Sequence, residues 1–582
     1  MGRLWTVDSP TPIVNSDPTS PEDVLLDQAA TSGPLQKAAI YTRLSGPGWL
    51  QGAITLGGGS LAGALYVGII SGYQLMWLQP LAMILGVIML SAIGYVTLST
   101  GRRPFESINS CISPVLGWAW LIATVMANIV WAMPQFSLGI GAIQQNLIPS
   151  LGASASITQI STPAIAIAFF IVGMLINYSY ESGNKGVKIF ENTLKAMVGV
   201  IVVAFFLVVG VLTFSGSLNW GEIFHGSLPR VADLFNPARD YLAPIAATGE
   251  FAVHWTQAIV DSQRDIIITA FGTAVGINMT FLLPYSMLRR KWGKRHRGLA
   301  VYDLSIGLIV PFVLATSCIV IAAAGAFHSK TGDILNADGT PLPASANSYY
   351  AAFQSHPRVL EAVRTVTAPA NLNAARRSAV DALPEADRQL GAMLAQRGNL
   401  QLASTLTPLT GPTIAQKVFG LGVVGMAVST IIVLMLMNGF AFCEMFGRPG
   451  HRTIHMLGCA VSGLGGFAGA FLWSNPDARA ALAVPTSVIG GSMIPIAYFT
   501  FFLMMNSRSL LGESLPTGGR RLWWNSLMIT ATTIVTCGSI WVLSAKGTPG
   551  YIGISILAVL FILGLVGFFA KNRMPVGVRV GR

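Results

Sequence analysis

The chain carries a glycine-rich stretch with a serine inside an otherwise apolar run, AITLGGGSLAGAL at residues 53–65. Each glycine costs about 1 kcal/mol of helix stability relative to alanine. In the middle of a membrane helix, unpaired backbone has no water to bond. Gly57, Gly58 and Gly59 therefore predict that the helix unwinds here, which would free carbonyls and amides for a substrate beside the Ser60 hydroxyl.

A second apolar stretch, residues 265–288, is interrupted in the same manner. It contains Gly272 and Gly276, then polar Asn278 and Thr280, then Pro284. Interrupted helices at matching positions in two halves of a chain are typical of a transporter built from inverted repeats. The alternative is that the Gly-x-x-x-Gly spacing in both stretches serves close packing of unbroken helices.

The composition is that of a polytopic helical membrane protein, and the predicted fold class is all-α. Of 582 residues, 52% are hydrophobic and 10% charged, whereas soluble domains carry about 25% charged residues. Apolar runs near the ~20-residue spanning length recur along the chain. The predicted spans are 49–71, 74–100, 114–146, 163–178, 189–213, 264–288, 302–326, 416–440, 453–473, 484–506, 523–545 and 551–570.

Lysine and arginine indicate how these spans are oriented. With the N-terminus inside, the interior receives the cluster RRKWGKRHR at 289–297 and nearly all other basic loop residues. This distribution follows the positive-inside rule. The net charge of +12 is therefore interpreted as a topological signal and a match to anionic lipid, not as a nucleic-acid surface. We expect a multi-pass protein of the inner (plasma) membrane with a cytoplasmic N-terminus.

Five segments are predicted, and they are defined by composition and span order. They are a disordered cytoplasmic tail at 1–45, helices 1–7 at 46–326, an extracytoplasmic helical insertion at 327–413, helices 8–12 at 414–570 and a basic cytoplasmic tail at 571–582. Within the insertion, Pro384 and Gly398 are typical start and stop signals of a helix. Leu390, Met393 and Leu394 would give that helix an apolar face for the exterior mouth, but a folded decoration without a transport role is the favoured interpretation.

The cysteines and histidines do not form a recognisable metal or catalytic motif. The five cysteines lie in or beside apolar spans without metal-ligand spacing. The seven histidines show no zinc or catalytic spacing, and no nucleotide-binding loop is present. We therefore expect no enzyme, no cofactor, no nucleotide and no nucleic acid as partner; the lipid bilayer is the expected surrounding, and an oligomer is not required.

Acidic residues at the ends of spans are expected to be paired or solvated. Glu444 and Asp303 fall near the membrane interfaces, and neither is expected to carry protons. A group ahead of the sixth span, comprising Glu250, His254, Asp261 and Asp265, could attract cations, but an ordinary solvated face is the favoured interpretation.

Three stretches resemble the natural-resistance-associated macrophage protein (NRAMP) family of divalent-metal transporters. They are GPGWLQGAITLGGGSLAGALYVGIISGYQLMW at 46–77, TAVGINMT at 273–280 and MNSRSLLGE at 505–513. The resemblance covers roughly residues 40–570 apart from the insertion. It implies a leucine-transporter-like fold, in which two inverted five-helix repeats, helices 1–5 and 6–10, are followed by one or two extra helices. The substrate would bind between helices one and six.

The chain departs from the family at the residues that bind metal. The family's Asp-Pro-Gly-Asn on helix one lines up with Gly57–Ser60, and its methionine on helix six lines up with Gly276. Its histidine falls near Asn278, its carbonyl ligand at Thr273, and its helix-ten glutamine aligns with Met493.

The family's proton-carrying acidic pair on helix three is also missing. Trp131, Pro134 and Gln135 stand there instead, without a carboxylate. What remains is a neutral set of hard oxygen donors, which predicts weak binding of soft transition metals. Glycine at the ligand positions also predicts a wider cavity, suited to a hydrated ion such as Mg²⁺, which dehydrates reluctantly.

The predicted function is transport of a divalent metal cation by alternating access. The candidate substrate-binding residues are Gly57, Gly58, Gly59, Ser60, Thr273, Gly276, Asn278, Thr280 and Met493. Of these, Ser60, Thr273 and Asn278 are the candidate metal ligands, directly or through water. The first alternative is a transporter of a small organic anion or amino acid, bound by amides of the glycine-rich break. The second is a sensor or scaffold that does not transport.

Overall fold

The protein is helical throughout the part that can be described. The computed structural model describes residues 21–181, 199, 203, 205–216, 218–364, 366, 371–397, 399–474 and 490–572. Within these ranges the only extended pairing is an isolated antiparallel bridge between Leu335 and Pro341. The predicted all-α class is therefore confirmed.

The helices of the first half run as far as the second broken span. They are α1 Pro21–Thr31, α2 Pro34–Leu44, α3 Pro47–Thr55, α4 Gly58–Ser71, α5 Leu78–Thr100, α6 Pro104–Cys111, α7 Pro114–Ala142, α8 Ala155–Glu181, α9 Phe205–Phe214, α10 Trp220–Gly226 and α11 Leu242–Ala247.

The remaining helices include the insertion and the last spans. They are α12 Ala252–Ala274, α13 Met279–Arg289, α14 Arg297–Leu304, α15 Val310–Phe327, α16 Ala346–Ala351, α17 Pro357–Arg364, α18 Leu372–Asp381, α19 Glu385–Leu394, α20 Asn399–Leu402, α21 Thr407–Met445, α22 Arg452–Ser474, α23 Ile494–Met505, α24 Arg508–Leu511, α25 Gly518–Ser544 and α26 Thr548–Asn572.

The spans follow the predicted order. Among the described residues, 9 helices are long and apolar enough to cross a membrane. Three shorter apolar helices, Gly58–Ser71, Phe205–Phe214 and Gly490–Met505, fall at the first, fifth and tenth predicted spans. Most of the predicted fifth span, and the first part of the tenth, lie outside the described residues.

The expected disorder of residues 1–45 is wrong for residues 21–44, which form α1 and α2. Arg295, in the basic loop between α13 and α14, pairs with Asp23 at 3.5 Å and also with Asp27. The Thr42 hydroxyl lies 2.9 Å from the Tyr302 hydroxyl. Composition alone missed this order because the stabilising contacts come from a loop some 260 residues further along the chain. Residues 1–20 lie outside the described part.

The insertion folds against an extension of the sixth span. Helix α12 begins at Ala252, well before the predicted start at residue 264. The extension is ordered because Trp255 is buried in an apolar cluster with residues of the insertion, and its indole N–H donates to Asp387 at 2.6 Å. Helix α19 begins after Pro384 as predicted, whereas Gly398 lies outside the described residues.

The predicted acidic group ahead of the sixth span is held in ion pairs. Glu250 pairs with Arg358, Asp261 with Arg264 and Asp265 with Lys546. These ion pairs favour the interpretation of the group as an ordinary solvated face over a group that attracts cations.

The membrane core is built from closely packed helices around α4. Helices α7, α21 and α22 pack against one another, and α4 lies against α12 and α15. Small residues allow the closest crossings: a Cβ added at Gly458 of α22 would lie 2.6 Å from the carbonyl oxygen of Asn438 on α21. This arrangement places α7 and α21 beside the two broken spans, to which α4 and α12 belong.

Candidate substrate site at two helix breaks

The first span is broken at the glycine run. Helix α3 ends at Thr55, Gly57 has an extended conformation (φ −85°, ψ −179°), and α4 begins at Gly58. The amide of Leu61 bonds to the Gly57 carbonyl at 3.1 Å. Within the described backbone, no amide of residues 58–60 bonds back to a carbonyl of α3. The predicted unwinding is confirmed, so both helix ends present backbone groups at this depth.

The sixth span is broken in the same way. Helix α12 ends at Ala274, Val275 is extended (φ −140°, ψ 95°), and Asn278 precedes α13. The Val275 side chain fills the space above Gly86 of α5, where a Cβ would overlap it. The carbonyl end of α12 thus stops at the same level as the amide end of α4.

The two breaks contact each other through predicted ligands. The Ser60 hydroxyl donates to the Thr273 carbonyl at 3.1 Å. A Cβ added at Gly59 would lie 3.1 Å from the Thr273 methyl, so glycine permits this close approach of α4 to α12. The hydroxyl of Thr273 donates to the Thr269 carbonyl at 2.7 Å. The Ser60 hydroxyl hydrogen therefore bridges the two breaks and the Thr273 hydroxyl hydrogen stays within α12, which leaves lone pairs of both hydroxyl oxygens at the junction.

The junction is electrically neutral. No aspartate or glutamate occurs in α3, α4, α7 or α13, and those of α12, Asp261 and Asp265, precede Thr273 by eight residues or more. The oxygen atoms on offer are hydroxyls, amides and backbone carbonyls, a set that suits a hard cation. The Met279 thioether, a ligand type that softer ions prefer, is already bonded to the Thr55 hydroxyl at 3.5 Å.

The expectation of a wider cavity is wrong at the glycines. A Cβ at Gly57 would overlap the Thr430 hydroxyl of α21, and one at Gly58 would lie 2.6 Å from the Gln135 amide oxygen of α7. A Cβ at Gly276 would overlap the Trp131 indole. Neighbouring side chains have taken up the volume that glycine leaves, because protein interiors close-pack.

Asn278 belongs to an amide pair that links three helices. Its Nδ2 donates to Asn128 Oδ1 of α7 at 3.1 Å, and the Ser462 hydroxyl of α22 donates to the Asn128 carbonyl at 3.0 Å. Asn278 Oδ1 and Asn128 Nδ2 have no hydrogen-bond partner among the described residues. Asn278 is therefore placed beside the site with a free acceptor.

Two predicted site residues are engaged elsewhere. The Thr280 hydroxyl accepts from the Trp120 indole at 2.8 Å and donates to the Ile277 carbonyl at 2.5 Å. Met493 immediately precedes α23 and packs, half-buried, against the largest apolar cluster. Their roles in this structure are packing and local hydrogen bonding, which sequence position alone did not distinguish from substrate binding.

A polar face of α7 supplies the residues that sequence reasoning missed. Thr124, Asn128, Trp131 and Gln135 recur at spacings of about four and three residues, which places them on one helical face. Thr124 Oγ1, Asn128 Nδ2 and Gln135 Oε1 are buried without a hydrogen-bond partner in the described ranges. The periodicity was the available signal, since isolated polar residues in membrane helices mark functional positions.

Two buried carboxylates near the ends of spans are paired. Asp303 of α14, which is 0% exposed, accepts the amides of Gly46 and Gly48 at 3.0 and 2.6 Å. Glu444 of α21 pairs with Arg103 at 2.7 Å. Both are paired, as expected, and Asp303 caps the start of α3 at its positive end.

Two sets of five spans that each begin with a broken helix define the class of protein: a membrane carrier of the leucine-transporter-like fold. The family model described as natural resistance-associated macrophage protein-like (Nramp) matches residues 48–341 and 392–545. The chain belongs to the Nramp family. The unmatched residues between these ranges lie within the insertion.

Individual relatives are more distant. The Metal transporter Nramp2 of Oryza sativa subsp. japonica is 29% identical over 180 residues, which is 30% of this chain and 31% of the rice protein. A crystal structure of the Eremococcus coleocola manganese transporter, in complex with an aromatic bis-isothiourea substituted compound, is similar with a TM-score of 0.53 at 14% identity, covering 93% of this chain and 97% of that one. A mutant of that transporter covers 92% and 96%, with a TM-score of 0.51 at 14% identity. These structures support the fold.

Proposed function

We propose that the chain is a carrier, not an enzyme, that moves a divalent metal cation across a membrane by alternating access. The observation that carries the proposal is the junction of the two breaks, where Ser60 meets the Thr273 carbonyl in a member of the Nramp family. Irregular backbone at membrane depth is tolerated where it lines a substrate path or is buried in protein.

The chemistry of the junction favours a hard ion. The rice relative is named a metal transporter, and the structural neighbour is named a manganese transporter. In this chain the described donors that meet between the breaks are neutral oxygens without a carboxylate, and the Met279 thioether, a ligand type that softer ions favour, accepts from the Thr55 hydroxyl at 3.5 Å. We propose Mn²⁺ or Mg²⁺ as the substrate class, with Cd²⁺ bound more weakly. Because neighbouring side chains occupy the glycine positions, protein oxygens are expected to replace part of the water shell.

The proposed orientation places the end that carries α1 and α2 in the cytoplasm. The basic residues of 289–297 lie in the loop that binds α1, so the positive-inside rule and the docking of the N-terminal helices agree. The insertion would then lie on the extracytoplasmic side, and the plasma membrane is the proposed location. No oligomer is needed for this mechanism, because the junction is built within one chain.

Uptake into proteoliposomes tests the proposal. Mn²⁺, Mg²⁺ and Cd²⁺ are supplied separately, and entry is followed with a metal-sensitive dye inside the vesicles. We expect Mn²⁺ or Mg²⁺ to enter faster than into protein-free vesicles, and Cd²⁺ to enter more slowly. The Gly58→Leu variant should lose uptake, whereas Gly325→Leu, at an exposed position of α15 where an added Cβ would meet no atom within 4 Å, should keep it. Absence of uptake for all three ions with folded protein would refute the proposal.

A second candidate substrate is a small carboxylate. The amides at the start of α4 have no backbone acceptor among the described residues, and a helix N-terminus is suited to an anion. The Ser60→Asp variant separates the two candidates. A carboxylate at the junction should raise affinity for Mn²⁺ and weaken binding of an anion such as acetate. The opposite pair of changes would favour the anion transporter.

A further inference from the structure

The side chain of Gln135 lies across the first helix break. It projects from the polar face of α7 and is 4% exposed. A Cβ added at Gly58 would lie 2.6 Å from Gln135 Oε1, and one at Gly59 would lie 3.7 Å from Nε2. The amide is therefore in van der Waals range of both glycines that open α4, at the level where the span unwinds.

The amide oxygen of Gln135 has nothing to bond in the described part of the chain. A buried acceptor without a donor is unfavourable, and most such groups in native proteins have a partner. Packing does not explain the choice of residue, because leucine fills similar volume without a polar atom. The unpaired oxygen next to a broken helix instead indicates that its partner arrives with the substrate.

An amide oxygen is a hard, neutral ligand of the kind that Mg²⁺ and Mn²⁺ accept. At the end of α3, the carbonyls of Gly52 and Ile54 accept from the amides of Leu56 and Gly57, whereas no described backbone amide bonds to the Thr55 carbonyl. The Ser60 hydroxyl lies one residue beyond Gly59. A carbonyl-rich helix end also carries partial negative charge. The amides beside Gln135 lie at the positive end of α4, so the preference for a cation is carried by the Gln135 oxygen, the Ser60 oxygen and the end carbonyls of α3.

We propose that Gln135 is a direct metal ligand and sets the affinity of the site, as the neutral oxygen that α7 supplies. This inference rests on the proposed function, since it names a ligand of that same substrate. Sequence alignment with the family pointed only to helices one, six and ten for ligands, so Gln135 adds α7 to the site.

Two substitutions at Gln135 test the assignment. Gln135→Glu keeps the shape and provides a carboxylate, whereas Gln135→Leu removes both polar atoms. Asn438→Asp on α21 is the matched control, because Asn438 is likewise a buried amide with an unpartnered oxygen. It lies eight residues along α21 from Thr430, about 12 Å away at 1.5 Å per residue.

Binding of Mn²⁺ and Mg²⁺ to the purified full chain is measured by isothermal titration calorimetry from pH 5 to 8. We expect Gln135→Glu to raise Mn²⁺ affinity at least tenfold at pH 7, with the gain lost on acidification as the carboxylate is protonated. Gln135→Leu should weaken Mn²⁺ binding at least tenfold. Asn438→Asp should match the wild type within about twofold, with no new pH dependence.

The outcomes separate this inference from the function on which it rests. If the wild type binds Mn²⁺ and Gln135→Glu leaves both affinity and pH dependence unchanged, Gln135 is not a ligand and the proposed function stands. An equal gain in Asn438→Asp would also overturn the assignment, because any buried carboxylate would then suffice. If neither the wild type nor Gln135→Glu binds Mn²⁺ or Mg²⁺ at millimolar concentration, both proposals fall. The isosteric glutamate variant keeps the test decisive should Gln135→Leu fail to fold.

Discussion

The substitution Gly276→Ala tests whether Trp131 is wedged into the second break. Three glycines surround the Trp131 indole. A Cβ added at Gly276 or Gly490 would overlap the ring, and one added at Gly272 would lie 3.9 Å from it. A Cβ at Gly276 would lie 2.5 Å from the Cη2 atom of the indole, whereas ordinary contacts begin at 3.4 Å. The overlap is therefore about 0.9 Å, the difference between those two distances.

Such overpacking destabilises a well-packed core by about 1–3 kcal/mol. The indole cannot escape toward Gly490, because that side is equally close, so we expect Gly276→Ala to fall in the upper part of this range. Thermal unfolding of the purified protein in detergent, followed by loss of the monodisperse peak in size-exclusion chromatography, measures the effect. Gly325→Ala is the control, since open space surrounds that glycine, and it should melt at or above the wild-type temperature.

A double-mutant cycle identifies the cause. Trp131→Leu removes the ring atoms that the new methyl would meet, so the damage from Gly276→Ala should shrink in that background. The coupling energy should favour the double variant by about 0.5–3 kcal/mol, as for residues in direct contact. If Gly276→Ala has the melting temperature of the wild type, or if the stability changes of the two substitutions add, the Trp131 indole does not fill the space at Gly276.

The remaining predictions concern the cap of α3, the insertion, the glycine run and coupling. Asp303→Asn should lower stability by about 1–2 kcal/mol in thermal unfolding, because a charged cap is lost at the helix start; an unchanged melting temperature would contradict that role. Burial lowers the pKa of His356 in the insertion, below its usual value of about 6.5. The unfolded chain therefore binds the proton more readily, so the insertion should lose protection from hydrogen exchange as the pH falls below about 6.5, and His356→Gln should weaken that dependence. Gly58→Leu should abolish uptake by displacing the Gln135 amide while leaving folded protein; uptake at the wild-type rate would mean that the break is not the substrate path. Finally, transport should not acidify the vesicle lumen, because the carboxylates of α12, Asp261 and Asp265, precede Thr273 by eight residues or more and are held in ion pairs; substrate-dependent proton entry, seen with a pH dye, would contradict this.

Much of the fold was predictable because the membrane imposes strong rules. Hydropathy placed the spans, and glycines in two of them marked the breaks, since a helix in lipid tolerates such residues only for a structural or functional reason. The boundaries were less accurate where tertiary contacts extend a helix, as at the start of α12, where Trp255 packs into the insertion.

The site was only partly predictable. Ser60 and Thr273 do meet, because both lie at the breaks that the sequence marked. The Thr280 hydroxyl bonds to the Trp120 indole from another helix, a pairing that position along one span does not reveal. The polar face of α7 could have been recognised from its spacing, yet nothing in that spacing says which helix it faces.

The amino-acid sequence by itself determined that this is a helical membrane protein with two interrupted spans, because hydrophobic length and glycine placement act locally along the chain. It also determined that the site is neutral, since the carboxylates are absent from the residues themselves. Only the tertiary structure decided how the space at the glycines is used. Gln135, Trp131 and Thr430 fill it, and they do so from α7 and α21, helices whose side chains reach the breaks only once the bundle has packed.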